Sequence, residues 1–288
     1  MATEETMLLP QPVTYTGSTG LRLVGDAWGA PDAPPVLLLH GGGQTRHAWG
    51  GTAKALAQQG WRAIALDMRG HGDSEWCPQG DYMIDTYVAD LHKVLENFRQ
   101  KPVLVGASLG GMTSLLAEGE APQSVSTAVV LVDITPRVEQ EGVDRILAFM
   151  TAYPNGFASL EECADHIASY IPHRPRPTDL RGLAKNLRLG SDGRYRWHWD
   201  PNMINPRRRR RDPERLLAAA RSLKVPTMLV RGKISDVVSD ATTKEFLDCV
   251  PHAKYVDVAE AGHMVAGDRN DLFSKAVIEF LAEVKPLL

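Results

Sequence analysis

The stretch VLVGASLGGM, residues 103–112, decides how the rest of the chain is read. An apolar, partly β-branched run enters Gly106-Ala107-Ser108-Leu109-Gly110, a G-x-S-x-G pattern, and a helical pattern follows it. Glycine weakens the strand it leaves and the helix it enters. Two glycines straddling one serine therefore mark a bend too tight for side chains at those flanking positions, with the serine itself in strained backbone geometry. The helix that follows points its amino end at Ser108, where its dipole favours developing negative charge.

The 288 residues are 43% hydrophobic, enough for one large α/β domain with an insertion, or for two domains. Thirty-two basic against 35 acidic residues leave a formal charge of −3, which argues against nucleic acid or an anionic membrane as the main partner. Three widely spaced cysteines, Cys77, Cys163 and Cys249, fit neither a disulfide framework nor a zinc site, and suit a reducing compartment. The first residues carry acids and no long apolar region, so they do not read as a signal peptide, and no run approaches the roughly 20 apolar residues of a membrane helix. The expectation is a soluble, cytoplasmic protein.

Short apolar runs at 21–28, 36–40, 62–67, 103–107, 128–133, 227–231 and 254–258 alternate with helical patterns, which implies a mostly parallel sheet covered on both faces. A helix is expected over 85–98, with Asp85 as its cap and Val88, Leu91, Val94, Leu95 and Phe98 on one face, and another from Asp271 to about Val284. From 135 to about 223 no strand is evident; helical stretches, the proline-rich IPHRPRP (171–177) and the aromatic RYRWHWD (194–200) stand there instead. This segment reads as an insertion over the carboxyl edge of the sheet, where open α/β folds bind ligands.

A serine hydroxyl is a poor nucleophile until a base takes its proton. AEAGHMVAGDR (259–269) supplies His263 after the final strand, and an ordinary imidazole suits proton shuttling at neutral pH. LVRGKISDVVS (229–239) supplies Asp236 to orient it, giving the chain order Ser108, Asp236, His263. Asp133, at the end of its own strand, is the rival acid; Asp236 is favoured because its loop has room to deliver a carboxylate. Attack creates an oxyanion, for which the Leu109 amide and the Gly42 amide of HGGGQT (40–45) are the expected donors, with Gly43 behind them. The triple glycine is no phosphate loop, since no Gly-Lys-Ser/Thr follows.

LLLHGGGQTRHAW, ALDMRGHGDS, VGASLGGM, RGKISDVVS and AGHMVAGDR, in this order, resemble the α/β-hydrolase superfamily across essentially the whole core. The resemblance implies an α/β-hydrolase fold: a mostly parallel central sheet flanked by helices, with residues 1–134 and 223–288 as core and a helical cap (lid), 135–222, inserted after the sixth strand. Arg69, His71 and Asp73 then look structural. The pattern is also similar to epoxide hydrolases and haloalkane dehalogenases, whose nucleophile is an aspartate. Ser108 in that place would form an inert ether on such substrates and so points to acyl chemistry.

The implied activity is cofactor-free and metal-free hydrolysis of a carboxylic ester or lactone of a small, largely apolar molecule through an acyl-enzyme. The same residues also serve a C–C bond hydrolase of diketone or dienoate substrates, an acyltransferase or haloperoxidase-like perhydrolase, or a non-catalytic ligand-binding member. A homodimer is left open. Trp49, Tyr170, Trp197 and Trp199, together with Gly43, are candidate substrate contacts, with ordinary packing as the alternative for each aromatic ring. The five arginines 207–211 read as a solvated approach to the helix of DPERLLAAA (212–220).

Overall fold

Three five-residue strands run through the centre: β3 (Pro35–Leu39), β5 (Val103–Ala107) and β6 (Ala128–Val132). Only Ala107 among them is not fully buried, as expected of strands covered on both faces. A computed structural model describes residues 8–172, 176, 178–204, 212–263 and 270–285, and places these strands in an eight-stranded sheet. The others are β1 (Gln11–Thr16), β2 (Arg22–Trp28), β4 (Arg62–Leu66), β9 (Thr227–Gly232) and β10 (Lys254–Val258), in the order β1-β2-β4-β3-β5-β6-β9-β10. β2 pairs antiparallel with both β1 and β4, and every later pairing is parallel. All seven expected strands are present; β1, half-exposed along its length, is the addition.

Side-chain alternation divides the core into two layers. Leu37, Leu39, Leu104, Val129 and Leu131 face one cluster, shared with α2 (Ile84–Leu95), α3 (Leu109–Gly119), α7 (Pro213–Ser222) and Phe246 of α8 (Asp240–Cys249). Val36, Leu38, Val103, Val105 and Val130 face the other, under α1 (Gly50–Gln58) and α9 (Asn270–Val284). The cap of α2 is Met83, which makes no side-chain capping bond, so Asp85 sits inside the first turn rather than before it.

After β6 the segment expected as a cap holds α4 (Gln140–Thr151), α5 (Leu160–Tyr170), the short α6 (Arg181–Ala184) and an antiparallel hairpin, β7 (Leu187–Leu189) with β8 (Tyr195–Trp197). That hairpin was not expected: three-residue strands are too short to show an alternation. The cap has its own apolar cluster around Phe157, Cys163 and Leu183. The expected boundary at 222 is also corrected. Helix α7, capped by the Asp212 side chain on the Arg215 amide, places Leu216, Ala219 and Ala220 in the core cluster. It lies so close to α3 that a Cβ on Gly119 would meet the Ala219 carbonyl at 2.4 Å. Helix α7 therefore packs with the core, and the five arginines fall outside the described residues.

Candidate active site

Ser108 stands where β5 breaks into α3, with φ 45° and ψ −107°. The bend is steric in origin. A Cβ on Gly106 would lie 2.3 Å from the Gly110 carbonyl oxygen, and one on Gly110 would lie 2.4 Å from that of Leu39. The Ser108 amide donates to Val132 O at 3.2 Å and the Gly110 amide to His40 O at 3.2 Å, tying the bend to β6 and to the loop after β3. One residue beyond Val132 is Asp133, so the hydroxyl and this carboxylate leave adjacent strands at the same sheet edge.

Asp133 is fully buried with φ 48°, a strained position for a non-glycine residue. Its Oδ1 accepts from the Gly232 amide at 2.9 Å, and its Oδ2 accepts from Ser235 Oγ at 2.6 Å and from His263 Nδ1 at 2.7 Å. A carboxylate oxygen that already takes the Ser235 proton accepts here as well, so His263 Nδ1 is the donor in this bond and Nε2 is the ring nitrogen left to act as a base. The expectation that Asp236 holds His263 is corrected. The Asp236 carboxylate turns outward to Arg145 of α4 at 2.7 Å, and its side chain is 28% exposed. The reason is packing: Gly142 of α4 presses on the Asp236 backbone, where a Cβ would meet its carbonyl at 2.2 Å, and the Glu139 amide donates to Val237 O at 2.9 Å. The end of β9 and the loop after it do serve Asp133, but with the Gly232 amide and the Ser235 hydroxyl.

In the HGGGQT loop the neighbours of Gly42 have their polar groups committed. Gly41 N–H donates to Gln44 Oε1 at 2.9 Å, and Gly43 N–H to His71 Nε2 at 3.1 Å. Gly41 O accepts from His40 Nδ1 at 2.8 Å. Among the described residues the Gly42 and Leu109 amides have no partner, and both belong to the two loops that the Gly110–His40 bond holds together.

Three imidazoles brace this loop. His40 accepts from the Met68 amide at 2.9 Å, and His198 of the cap accepts from the Gly72 amide at 2.7 Å while its other nitrogen reaches Gly43 O at 3.4 Å. Each ring takes one backbone N–H and gives one proton to a backbone carbonyl, so all three are held neutral. Burial lowers His40 and lowers His71 well below the usual imidazole range; burial, then the neighbouring His40, lowers His198 to about 3. The turn around them is charged and closed: Arg69 grips buried Asp90 through two nitrogens at 2.5 and 2.6 Å, and Arg46 bridges Asp26, Asp67 and Asp73.

Of the candidate substrate contacts, Trp199 stands at the loop: a Cβ on Gly43 would meet Met150 Cε at 2.9 Å and Trp199 Cζ3 at 3.4 Å. Trp197 stacks behind it at 4.7 Å between ring centres. Tyr170 is further back, stacked on Phe149 at 4.4 Å, its hydroxyl pushed up to about 12 by burial and then by the Asp236 charge. Trp49 does not belong to the site. It is 1% exposed in the α1–α9 layer, 5.7 Å from Phe273, and packing accounts for it. Sequence reasoning missed Met150, which ends an apolar helical stripe; His198, grouped by sequence with the aromatic rings that could line a pocket, instead braces the glycine loop. Among the described residues no three His, Cys, Asp or Glu side chains gather as metal ligands, and no helix is long and apolar enough to cross a membrane.

Residues 34–269 match the family model for the alpha/beta hydrolase fold, and the chain belongs to that family. It is 32% identical over 269 residues to esterase Rv0045c of Mycobacterium tuberculosis, covering 89% of this chain and 84% of the relative. It is 29% identical to a 3-hydroxybutyrate-oligomer hydrolase of Cupriavidus necator, over 84% of this chain and 87% of the other. Among solved structures, that of the M. tuberculosis esterase superposes with a TM-score of 0.76 at 28% identity, covering 98% of this chain and 99% of that one.

Proposed function

We propose that this protein is a serine esterase in which Ser108 attacks the carbonyl of a small, largely apolar carboxylic ester. The observation that carries the reading is the His263 Nδ1–Asp133 Oδ2 bond of 2.7 Å, at the strand edge where Ser108 stands on its strained bend. With Nδ1 committed to Asp133, Nε2 is the basic nitrogen. It takes the Ser108 proton as Oγ bonds to the carbonyl carbon, and returns it to the departing alkoxide when the tetrahedral intermediate collapses to an acyl-enzyme. Water repeats the cycle: its proton goes to Nε2, its oxygen attacks the acyl carbon, and the Ser108 oxygen leaves with the proton as the acid is released. The Gly42 and Leu109 amides supply the oxyanion donors, each worth on the order of a hundred- to a thousandfold in rate. Trp199 and Met150 over Gly43 favour an apolar acyl group, and the names of the relatives, an esterase and an oligoester hydrolase, support ester cleavage. The test is turnover of a p-nitrophenyl butyrate and labelling by a fluorophosphonate. Ser108→Ala should abolish both while the fold, followed by circular dichroism, persists; a variant that keeps turnover and labelling would end the proposal.

A further inference from the structure

We infer that Ser235 is a positioning residue that sets the basicity of His263 through Asp133, an assignment that rests on the esterase reading above. The argument is one of hydrogen counting. A serine hydroxyl has one proton and two lone pairs. Ser235 Oγ accepts from the Val237 amide at 3.1 Å and from the Val238 amide at 3.2 Å, which occupies its acceptor side. Its single proton is thereby directed to Asp133 Oδ2, 2.6 Å away. This is the same oxygen that accepts from His263 Nδ1 at 2.7 Å. Two donors thus share one carboxylate oxygen, and one of them cannot rotate away without stranding two backbone amides.

The consequence has a direction. A hydroxyl that neutralises part of the charge on Oδ2 leaves less of it to stabilise an imidazolium, so His263 is a weaker base with Ser235 present than without it. Charged and titratable groups on the surrounding elements include Asp133, Arg137 and Glu139 after β6, Lys233 and Asp236 on the loop after β9, Glu141, Asp144 and Arg145 on α4, Asp165, His166 and Tyr170 on α5, and Glu260 on the loop of His263 itself. Of these, Asp133 contacts the ring, and Asp236 is paired with Arg145 at 2.7 Å. All of them are unchanged by substitutions at 235.

The experiment compares the wild type with Ser235→Ala, Ser235→Thr and Ser235→Cys. The acid-side midpoint of kcat/KM on p-nitrophenyl butyrate should rise by about 0.5–1 pH unit in Ser235→Ala. It should return to the wild-type value in Ser235→Thr, which keeps the hydroxyl, and lie between them in Ser235→Cys, which keeps the size but donates weakly. A residue that merely braces the loop would lower activity in Ser235→Ala with the midpoint unmoved, and that outcome overturns the inference. If Ser235→Ala fails to fold, the Cys variant against wild type carries the same comparison. The titration of His263 is also followed by the NMR shift of its ring Cε1 proton, assigned by its loss in His263→Gln. That readout needs no turnover. Absence of ester cleavage in the wild type would refute the esterase reading, whereas an unshifted ring titration would refute the role of Ser235.

Discussion

Replacing Asp133 by asparagine separates the two acids that the chain offers. The carboxylate accepts three hydrogen bonds in full burial: Gly232 N–H on Oδ1, and Ser235 O–H with His263 Nδ1–H on Oδ2. An amide presents one acceptor oxygen and one NH2. With the NH2 in the Oδ2 place it faces two donors; turned over, it faces the Gly232 amide. Either orientation sets donor against donor and costs about 1–3 kcal/mol in stability. The kinetic cost is larger, because His263 can keep its proton on Nδ1 only while something accepts it. A ring that moves the proton to Nε2 cannot deprotonate Ser108, and loss of the correct tautomer costs on the order of 10⁴-fold in kcat, or about 5.5 kcal/mol at 1.36 kcal/mol per decade. Asp236→Asn removes instead an ion pair whose arginine side chain is 56% exposed. Such pairs contribute about 0–1 kcal/mol, so kcat should stay within a few-fold of wild type. Steady-state hydrolysis of p-nitrophenyl butyrate by the two variants decides the matter. An Asp133→Asn enzyme within tenfold of wild type beside an inactive Asp236→Asn would overturn the assignment of the acid.

The glycine bend and the buried imidazoles set three further expected outcomes. Gly106→Ala would drive a Cβ to 2.3 Å from the Gly110 carbonyl, backbone against backbone; a thermal melt should drop by several degrees, at about 1–3 kcal/mol for the overpacking, and fluorophosphonate labelling should fall with it. Stability should decline with acidification: His40, His71 and His198 are neutral in the fold with lowered pKa values, while the unfolded chain takes up their protons below about pH 6.5. The unfolded state therefore binds more protons as pH falls, and the loss continues toward pH 3 for His198. Urea midpoints measured from pH 7.5 to 5 should fall, less steeply in His198→Gln; equal slopes would remove His198 as a contributor. His198→Ala also frees the Gly43 carbonyl and the Gly72 amide, so kcat should fall by more than KM rises, as for a disturbed oxyanion loop.

The sheet could be read from the chain because its central strands are buried on both faces and therefore written as unbroken apolar runs. The edge strand β1, QPVTYT, was not read, since it carries no buried apolar run: its residues alternate between partly buried and exposed, and Pro12 interrupts the strand-forming Val13, Thr14, Tyr15 and Thr16. Ser108, its flanking glycines and His263 were legible because a tight bend and a proton shuttle each demand particular residue types. The acid was not. Asp133 and Asp236 are both aspartates just beyond strand ends, and what distinguishes them is which of them the cap covers and turns outward, a property of α4 and its Gly142 rather than of either loop. One signal was available: an aspartate closing the wholly buried AVVLV strand has to find donors inside the protein. The fate of α7 was hidden for a similar reason, since only the bareness of Gly119, a hundred residues away, lets that helix settle on the core.

Asp133 is also the last residue before the chain departs to build its roof. Any tug from that roof would arrive first at a side chain whose aim must hold to a fraction of an ångström. Ile134 and Thr135, 3% and 1% exposed, anchor the exit, and Thr135 Oγ1 is bonded to Arg137 O at 2.6 Å. These two residues fix the exit at Asp133 itself. A chimera that imports a foreign roof should therefore be spliced outside them, after Arg137 and before Asp212, and it must rebuild two places where the roof touches the site, Gly142 against Asp236 and His198 against Gly43 and Gly72.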